Sequence, residues 1–214
     1  MPAVTLADLR TRAYTSVEGN TELYKQPEVD YTINEALGSL NLLAGFYQIT
    51  VDLPDASVVN RHVYDIPKSI LIPLSVAIDN VPLHPIGFST LSRTDPDWMN
   101  RLASPGNEPV YWMPIGITKF ALAPADYLGG RILSVTGIGE VPDLVNATDK
   151  IVLNDEHSDA IKNLVGHRLP LKMPGAEFQQ AASLYREYLH DAKALARWTG
   201  FKAPRFFIEA KQER

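Results

Sequence analysis

Cysteine is absent from all 214 residues, which excludes disulfides and thiolate metal sites and leaves the redox compartment open. No apolar run approaches the ~20 residues needed to span a bilayer, so no membrane partner is expected. The start, Met1-Pro2-Ala3-Val4-Thr5, has no basic stretch followed by an apolar one, and no secretory signal is expected there. Positive charge is scarce too: the formal net charge is −5. Non-specific DNA binding needs Lys and Arg to neutralise phosphates, so this chain is not expected to coat DNA. What is present is ordinary for a globular protein, 45% apolar and 21% charged residues, in a chain long enough to bury a core.

The charge is unevenly placed. Residues 1–198 carry 16 Lys+Arg against 23 Asp+Glu. Residues 199–214 reverse the balance, with Lys202, Arg205, Lys211 and Arg214 against Glu209 and Glu213.

Periodicity outlines the elements. Thr5 with Asp8 resembles a capping box, and Leu6, Leu9 and Ala13 follow at helical spacing. A second helix is expected over 26–44. Pro27 sits in its first turn, and Val29, Ile33, Leu37, Leu40 and Ala44 form a stripe that Ala36, Leu42 and Leu43 widen. From Phe46 the period becomes two, through Tyr47, Ile49, Val51 and Leu53. Further strands are expected at 69–78, 81–86, 110–114, 115–122 and 131–138, with a turn at Asp79-Asn80 and a short helix or ordered loop within 89–101. Prolines 73, 82, 114 and 124 point to edges, bulges or short strands. Helical character returns near Asp155, with Ile161, Leu164, Val165 and Leu169 on one face. A turn is expected from Pro170 to Gly175, then a long helix over 176–199. Its expected seam is Phe178, Ala182, Tyr185, Leu189, Ala192 and Ala196, with Leu184, Tyr188 and Leu195 as a second edge.

The expected fold class is therefore α+β. Residues 1–45 and 143–200 form a discontinuous domain, an antiparallel bundle of N- and C-terminal helix pairs. Residues 46–142 form a β-rich insertion, and 201–214 an extended C-terminal tail.

Signals of catalysis are weak. The five histidines at 62, 84, 157, 167 and 190 lack the spacing of a zinc helix. Gly137-Ile138-Gly139 lacks the third glycine and following helix of a dinucleotide loop and reads as a turn after a strand. Asp149, Asp155, Glu156 and Asp159 do not match an EF-hand loop and suit a capped helix start. No enzyme activity, catalytic residue, cofactor or metal is expected. Trp98 and Trp112 are candidate interface anchors, because tryptophan buries a large area with few rotatable bonds; core filling is the competing reading. If both indoles lined an open groove, an alternative function would follow, a ligand- or glycan-binding β module on a helical base. The tail segment Phe201 to Ile208 should be buried on its own chain or on a partner, since exposed Phe206-Phe207-Ile208 would be sticky in water.

Three runs, Tyr111-Trp112-Met113-Pro114-Ile115-Gly116, Phe120-Ala121-Leu122-Ala123-Pro124-Ala125-Asp126 and Leu133-Ser134-Val135-Thr136-Gly137, resemble the head–tail adaptor (connector) proteins of short-tailed phages, the tail tubular protein A family. The order that follows is similar as well: Asp155-Glu156-His157, then Leu171-Lys172-Met173-Pro174-Gly175-Ala176-Glu177-Phe178, then a helix over Gln180–Ala196. The resemblance covers most of the chain and is one of pattern and order, as the family has no invariant catalytic signature. It implies a structural virion protein, assembled in the host cytoplasm as a ring of identical subunits, usually twelve, below the portal protein. The next tail component, such as a nozzle, would lie on its far side. Double-stranded DNA would pass through the channel during genome ejection without specific binding. The tail residues Phe201, Lys202, Arg205, Phe206, Phe207 and Ile208 would contact the portal.

Overall fold

A computed structural model describes residues 4–16, 22–53, 56–101, 104–151, 153, 155–171 and 178–200; within these, the side chains of 156 and 178–180 are not described. Five α-helices and two four-stranded sheets are present among these residues, so the fold class is α+β. The described residues divide into two compact units, those within 4–47 and 141–200, and those within 48–140.

The first unit holds helices α1 (Leu6–Ser16), α2 (Gln26–Ala44), α4 (Ser158–Leu171) and α5 (Phe178–Thr199). α1 starts where its cap forms. The Asp8 carboxylate accepts from the Thr5 amide at 2.9 Å and the Thr5 hydroxyl at 2.7 Å, while the Asp8 amide donates back to Thr5 Oγ1 at 3.3 Å. Such reciprocal bonds satisfy donors that a helix start leaves free. α2 has Pro27 in its first turn and stops at Gly45, whose φ of 61° lies in the left-handed region that glycine tolerates. The buried Asn41 holds the chain as it leaves α2, its Oδ1 accepting from the Tyr47 amide at 2.7 Å. Leu6, Leu9, Ile33, Leu37, Leu40, Ile161 and Leu164 meet in one core. Each such side chain contributes roughly 1.5–3 kcal/mol through burial. Leu42 and Leu43, expected to widen the α2 stripe, are exposed instead. Gly166 marks a close approach of α1, α4 and α5, since a Cβ there would stand 3.1 Å from Ser16 Oγ and 3.3 Å from Leu184 Cδ1. The expected turn beginning at Pro170 is displaced, because Pro170 lies inside the last turn of α4; residues 172–177 lie outside the described ones.

The second unit holds strands β1 (Gln48–Leu53), β2 (Val63–Asp65), β3 (Ile70–Ile78), β4 (Val81–Pro82), β5 (His84–Pro85), β6 (Tyr111–Ile115), β7 (Lys119–Ala123) and β8 (Leu133–Gly139), with helix α3 (Phe88–Thr94). One sheet has the order β1-β8-β3-β4 and the other β2-β7-β6-β5. Asp79 and Asn80, both at positive φ, make the tight turn between β3 and β4. The single returning strand expected over 81–86 is two. Val81-Pro82 pairs with β3, whereas His84-Pro85 runs parallel to β6 in the other sheet. Pro82 and Pro85 have no amide hydrogen to donate, and the chain changes sheets at the buried Leu83 between them.

The two sheets share a core. Ile70, Val76, Ile78, Leu133 and Val135 from one meet Tyr64, Trp112, Phe120 and Leu122 from the other. Tyr64 stacks on its cross-strand partner Phe120 with ring centroids 5.6 Å apart. On the opposite face of the second sheet, Met113, Ala121 and Ala123 pack with Leu91 of α3 and with Trp98. Strict alternation along β6 and β7 thus feeds two cores, as side chains of period two must.

Gly137 and Gly139 do not form the expected turn. Both lie inside β8, against the irregular part of β3, whose register shifts between Ile70 and Ile72 and between Pro73 and Ser75. A Cβ on Gly137 would fall 2.3 Å from the Ile72 carbonyl oxygen and 3.0 Å from the Pro73 Cα. Glycine is there to let two backbones approach.

Candidate interaction surfaces

In the first unit α5 is amphipathic, but its buried face is rotated from the expected seam. Ala181, Tyr188, Ala192 and Leu195 are buried, Leu189 and Ala196 partly so, whereas Ala182 and Tyr185 are exposed. Both apolar edges had helical spacing; the one chosen is the one α2 and α4 cover. Tyr185 is left 42% exposed, stacked on His167 with centroids 4.9 Å apart. His167 Nδ1 lies 2.7 Å from the Ala181 carbonyl oxygen, which closes α4 against the start of α5. At the other end of α5, Trp198 is 72% exposed and rests against the His157 ring, centroids 5.8 Å apart. The neighbouring Thr199 hydroxyl donates to the Ala44 carbonyl oxygen at 2.7 Å, which ties the end of α5 to the end of α2. Gly200 follows at a φ of 69°. Trp198 was not singled out in the sequence; it stands three residues after the buried Leu195, a spacing that does not by itself tell an exposed position from a buried one.

Tyr188 carries a tension. Its side chain is buried, its hydroxyl finds no hydrogen-bond partner among the described residues, and desolvation pushes its pKa up to about 12 against the opposing pull of Arg168. Removing a hydroxyl from water without a partner costs free energy, and the charged form is disfavoured further.

The acidic residues near 149–159 serve local structure. Asp149 accepts from the Val145 and Asn146 amides, both at 2.8 Å, and these bonds hold its pKa below the usual carboxylate range. Asp155 pairs with Arg12, and Asp159 stands 3.9 Å from the same guanidinium. No group of three His, Asp or Glu fit to hold a metal exists among the described residues.

In the second unit Trp98 and Trp112 are not surface anchors. Trp112 is 0% exposed in the core between the sheets, and Trp98 is 3% exposed under α3, edge-on to both His62 and Phe88. Core filling accounts for both, and the glycan-binding reading loses its stacking platforms. The portal-contact residues Phe201, Lys202, Arg205, Phe206, Phe207 and Ile208 lie outside the described residues.

A buried ion pair that sequence reasoning missed organises the loops of this unit. The fully buried Asp126 pairs with Arg131 and accepts from the Leu128 amide at 3.3 Å and the Gly129 amide at 3.0 Å. Burial alone would raise its pKa; hydrogen bonds from Arg131, Ser57 and Leu128 outweigh that and lower it. Asp followed by Gly129-Gly130 is the available signal, an Asx-turn pattern.

Above Trp98 lies a hollow of about 290 Å³ lined by Leu91, Thr94, Asp95, Trp98, Arg101, Asn107, Val110, Tyr111, Ala123 and Pro124. The Arg101 guanidinium donates to Asp95 at 2.8 Å beside it. No helix among the described residues is long and apolar enough to cross a membrane. No protein-family model matches the chain, and no curated protein matches it.

Proposed function

We propose that the chain is a head–tail adaptor of a phage virion. In this reading the helices from the two chain ends form a bundle, and the β-rich segment is an insertion between them. Copies assemble as a ring that joins the portal protein to the tail and forms part of the DNA channel. The observation that carries the reading is the end of α5. There a helix whose other face is buried presents an exposed Trp198, and the next segment is the Phe-rich, locally basic Phe201–Ile208. An aromatic on the surface followed by more aromatics suits a contact made with another chain. The overall charge of −5 suits a channel through which DNA slides without being gripped.

The test is co-sedimentation with purified portal protein, followed by electron microscopy. The expected result is a ring seated on the portal for the full chain, and weakened binding when residues 201–214 are deleted. If the full chain neither sediments with the portal nor forms rings in its presence, the adaptor reading fails. If the deletion leaves portal binding unchanged, the tail is not the contact.

A further inference from the structure

We infer that the hollow of the β-rich unit is a receptor for an aromatic anchor on a basic segment, and that its occupant is Phe201–Ile208 of a second copy of this chain. The volume, about 290 Å³, lies at the lower end of the ~300–1,000 Å³ typical of small-molecule sites. It suits one or two side chains. Its lining offers an apolar floor, Leu91 and Trp98, and apolar walls, Val110, Ala123 and Pro124. Three of the polar groups there already have partners. Asp95 and Arg101 hold each other, and the Thr94 hydroxyl donates to the Thr90 and Leu91 carbonyl oxygens at 3.1 and 3.2 Å. An apolar occupant therefore leaves those charges satisfied.

The surroundings are more apolar than a solvated surface requires. Phe88, which touches Trp98, is 53% exposed; Met99, next in sequence to Trp98, is 51% exposed; Val110 and Tyr111 are exposed at the hollow itself. Exposed apolar groups gathered around a concavity mark a contact site. Interface energy concentrates where an aromatic anchor fills a pocket.

The chain itself supplies a fitting ligand. Phe201 and Phe206-Phe207-Ile208 stand in a stretch, 199–214, with four Lys/Arg against two Asp/Glu. Residues 48–140 have the opposite balance, six Lys/Arg against nine Asp/Glu. Opposite net charges favour encounter and orientation more than final affinity. Segment and hollow are different surfaces, so two copies can exchange segments reciprocally in a closed pair, or each copy can pass its segment to the next. The head-to-tail arrangement closes as a ring or continues as an open chain. The inference concerns the chain alone, without portal, and stands or falls apart from the adaptor reading.

The test uses full-length chain carrying Phe206→p-benzoylphenylalanine, mixed in equal parts from natural-isotope and ¹⁵N-labelled preparations, without portal. After irradiation, mass spectrometry maps the adducts. The expected adducts join copies of different isotope and fall on Trp98–Arg101 or Val110–Tyr111. They should drop about tenfold in Val110→Arg, which places bulk and positive charge at an exposed position and leaves the melting curve unchanged. Self-association measured by sedimentation should weaken about 30-fold in Phe206→Ala/Phe207→Ala, the loss typical of central aromatic anchors. Adducts confined to one isotope, adducts on other surfaces, or no adducts above background would each overturn the inference.

Discussion

Gly137→Ala is the sharpest probe of how the β-rich unit is built. One added methyl group would stand 2.3 Å from the Ile72 carbonyl oxygen, 2.5 Å from Ile70 Cγ2 and 3.0 Å from Pro73 Cα. The Ile70 side chain can rotate, but the Ile72 and Pro73 atoms are backbone, in the stretch where β3 already shifts register. Relief requires the central strands β3 and β8 to separate. Forcing an extra carbon into packed structure costs about 1–3 kcal/mol, and backbone atoms that cannot rotate away place this site at the upper end. The stiffer unfolded chain returns roughly 0.4–1 kcal/mol. The expected net loss is about 2 kcal/mol. For a chain of this size melting in one transition, that lowers the melting temperature by roughly 4–8 °C. Gly38→Ala is the matched control. Gly38 lies inside α2 with nothing within 4 Å of its added Cβ, so alanine there should stabilise by about 0.5–1 kcal/mol. Urea unfolding followed by circular dichroism reads both. A Gly137→Ala protein within 0.5 kcal/mol of the parent would refute the close-approach reasoning.

Tyr188→Phe should raise stability by about 1 kcal/mol, since it deletes a buried hydroxyl that has no partner among the described residues; a destabilised variant in urea melts would mean that the hydroxyl is satisfied. Because its folded pKa is raised to about 12, the unfolded chain releases this proton first as pH rises. The parent should therefore lose stability between about pH 10 and 12, and Tyr188→Phe should lose less over the same window. Asp126 has the opposite sign: its lowered pKa makes its contribution complete above the ordinary carboxylate range and lost as pH falls through the folded value. Asp126→Asn should be less stable than the parent at neutral pH and show a shallower acid unfolding curve; an unchanged curve would remove the pair from the account. Of the three tryptophans, Trp198 alone is exposed, so acrylamide should quench a red-shifted fraction of the emission that disappears in Trp198→Phe. Quenching that persists in this variant would mean that Trp98 or Trp112 reaches solvent.

The residues alone determined the α+β class, the helices near 6–16, 26–44, 158–171 and 178–199, and most of the strand positions. Those features rest on neighbours within about four residues: the Thr5–Asp8 cap, Pro27 at a first turn, apolar spacings of three and four, and alternation along 48–53. What only the tertiary structure decided depends on distant partners. The spacing along α5 pointed to a seam through Ala182 and Tyr185, and contact with the other helices selected instead the edge through Tyr188 and Leu195. Trp98 and Trp112 carry the same side chain whether they anchor a partner or fill a core, and the covering by α3 and by the facing sheet assigned them to cores. Gly137 reads as a turn until β3 is laid beside it, because the steric demand comes from Ile72 and Pro73, more than sixty residues away in the chain.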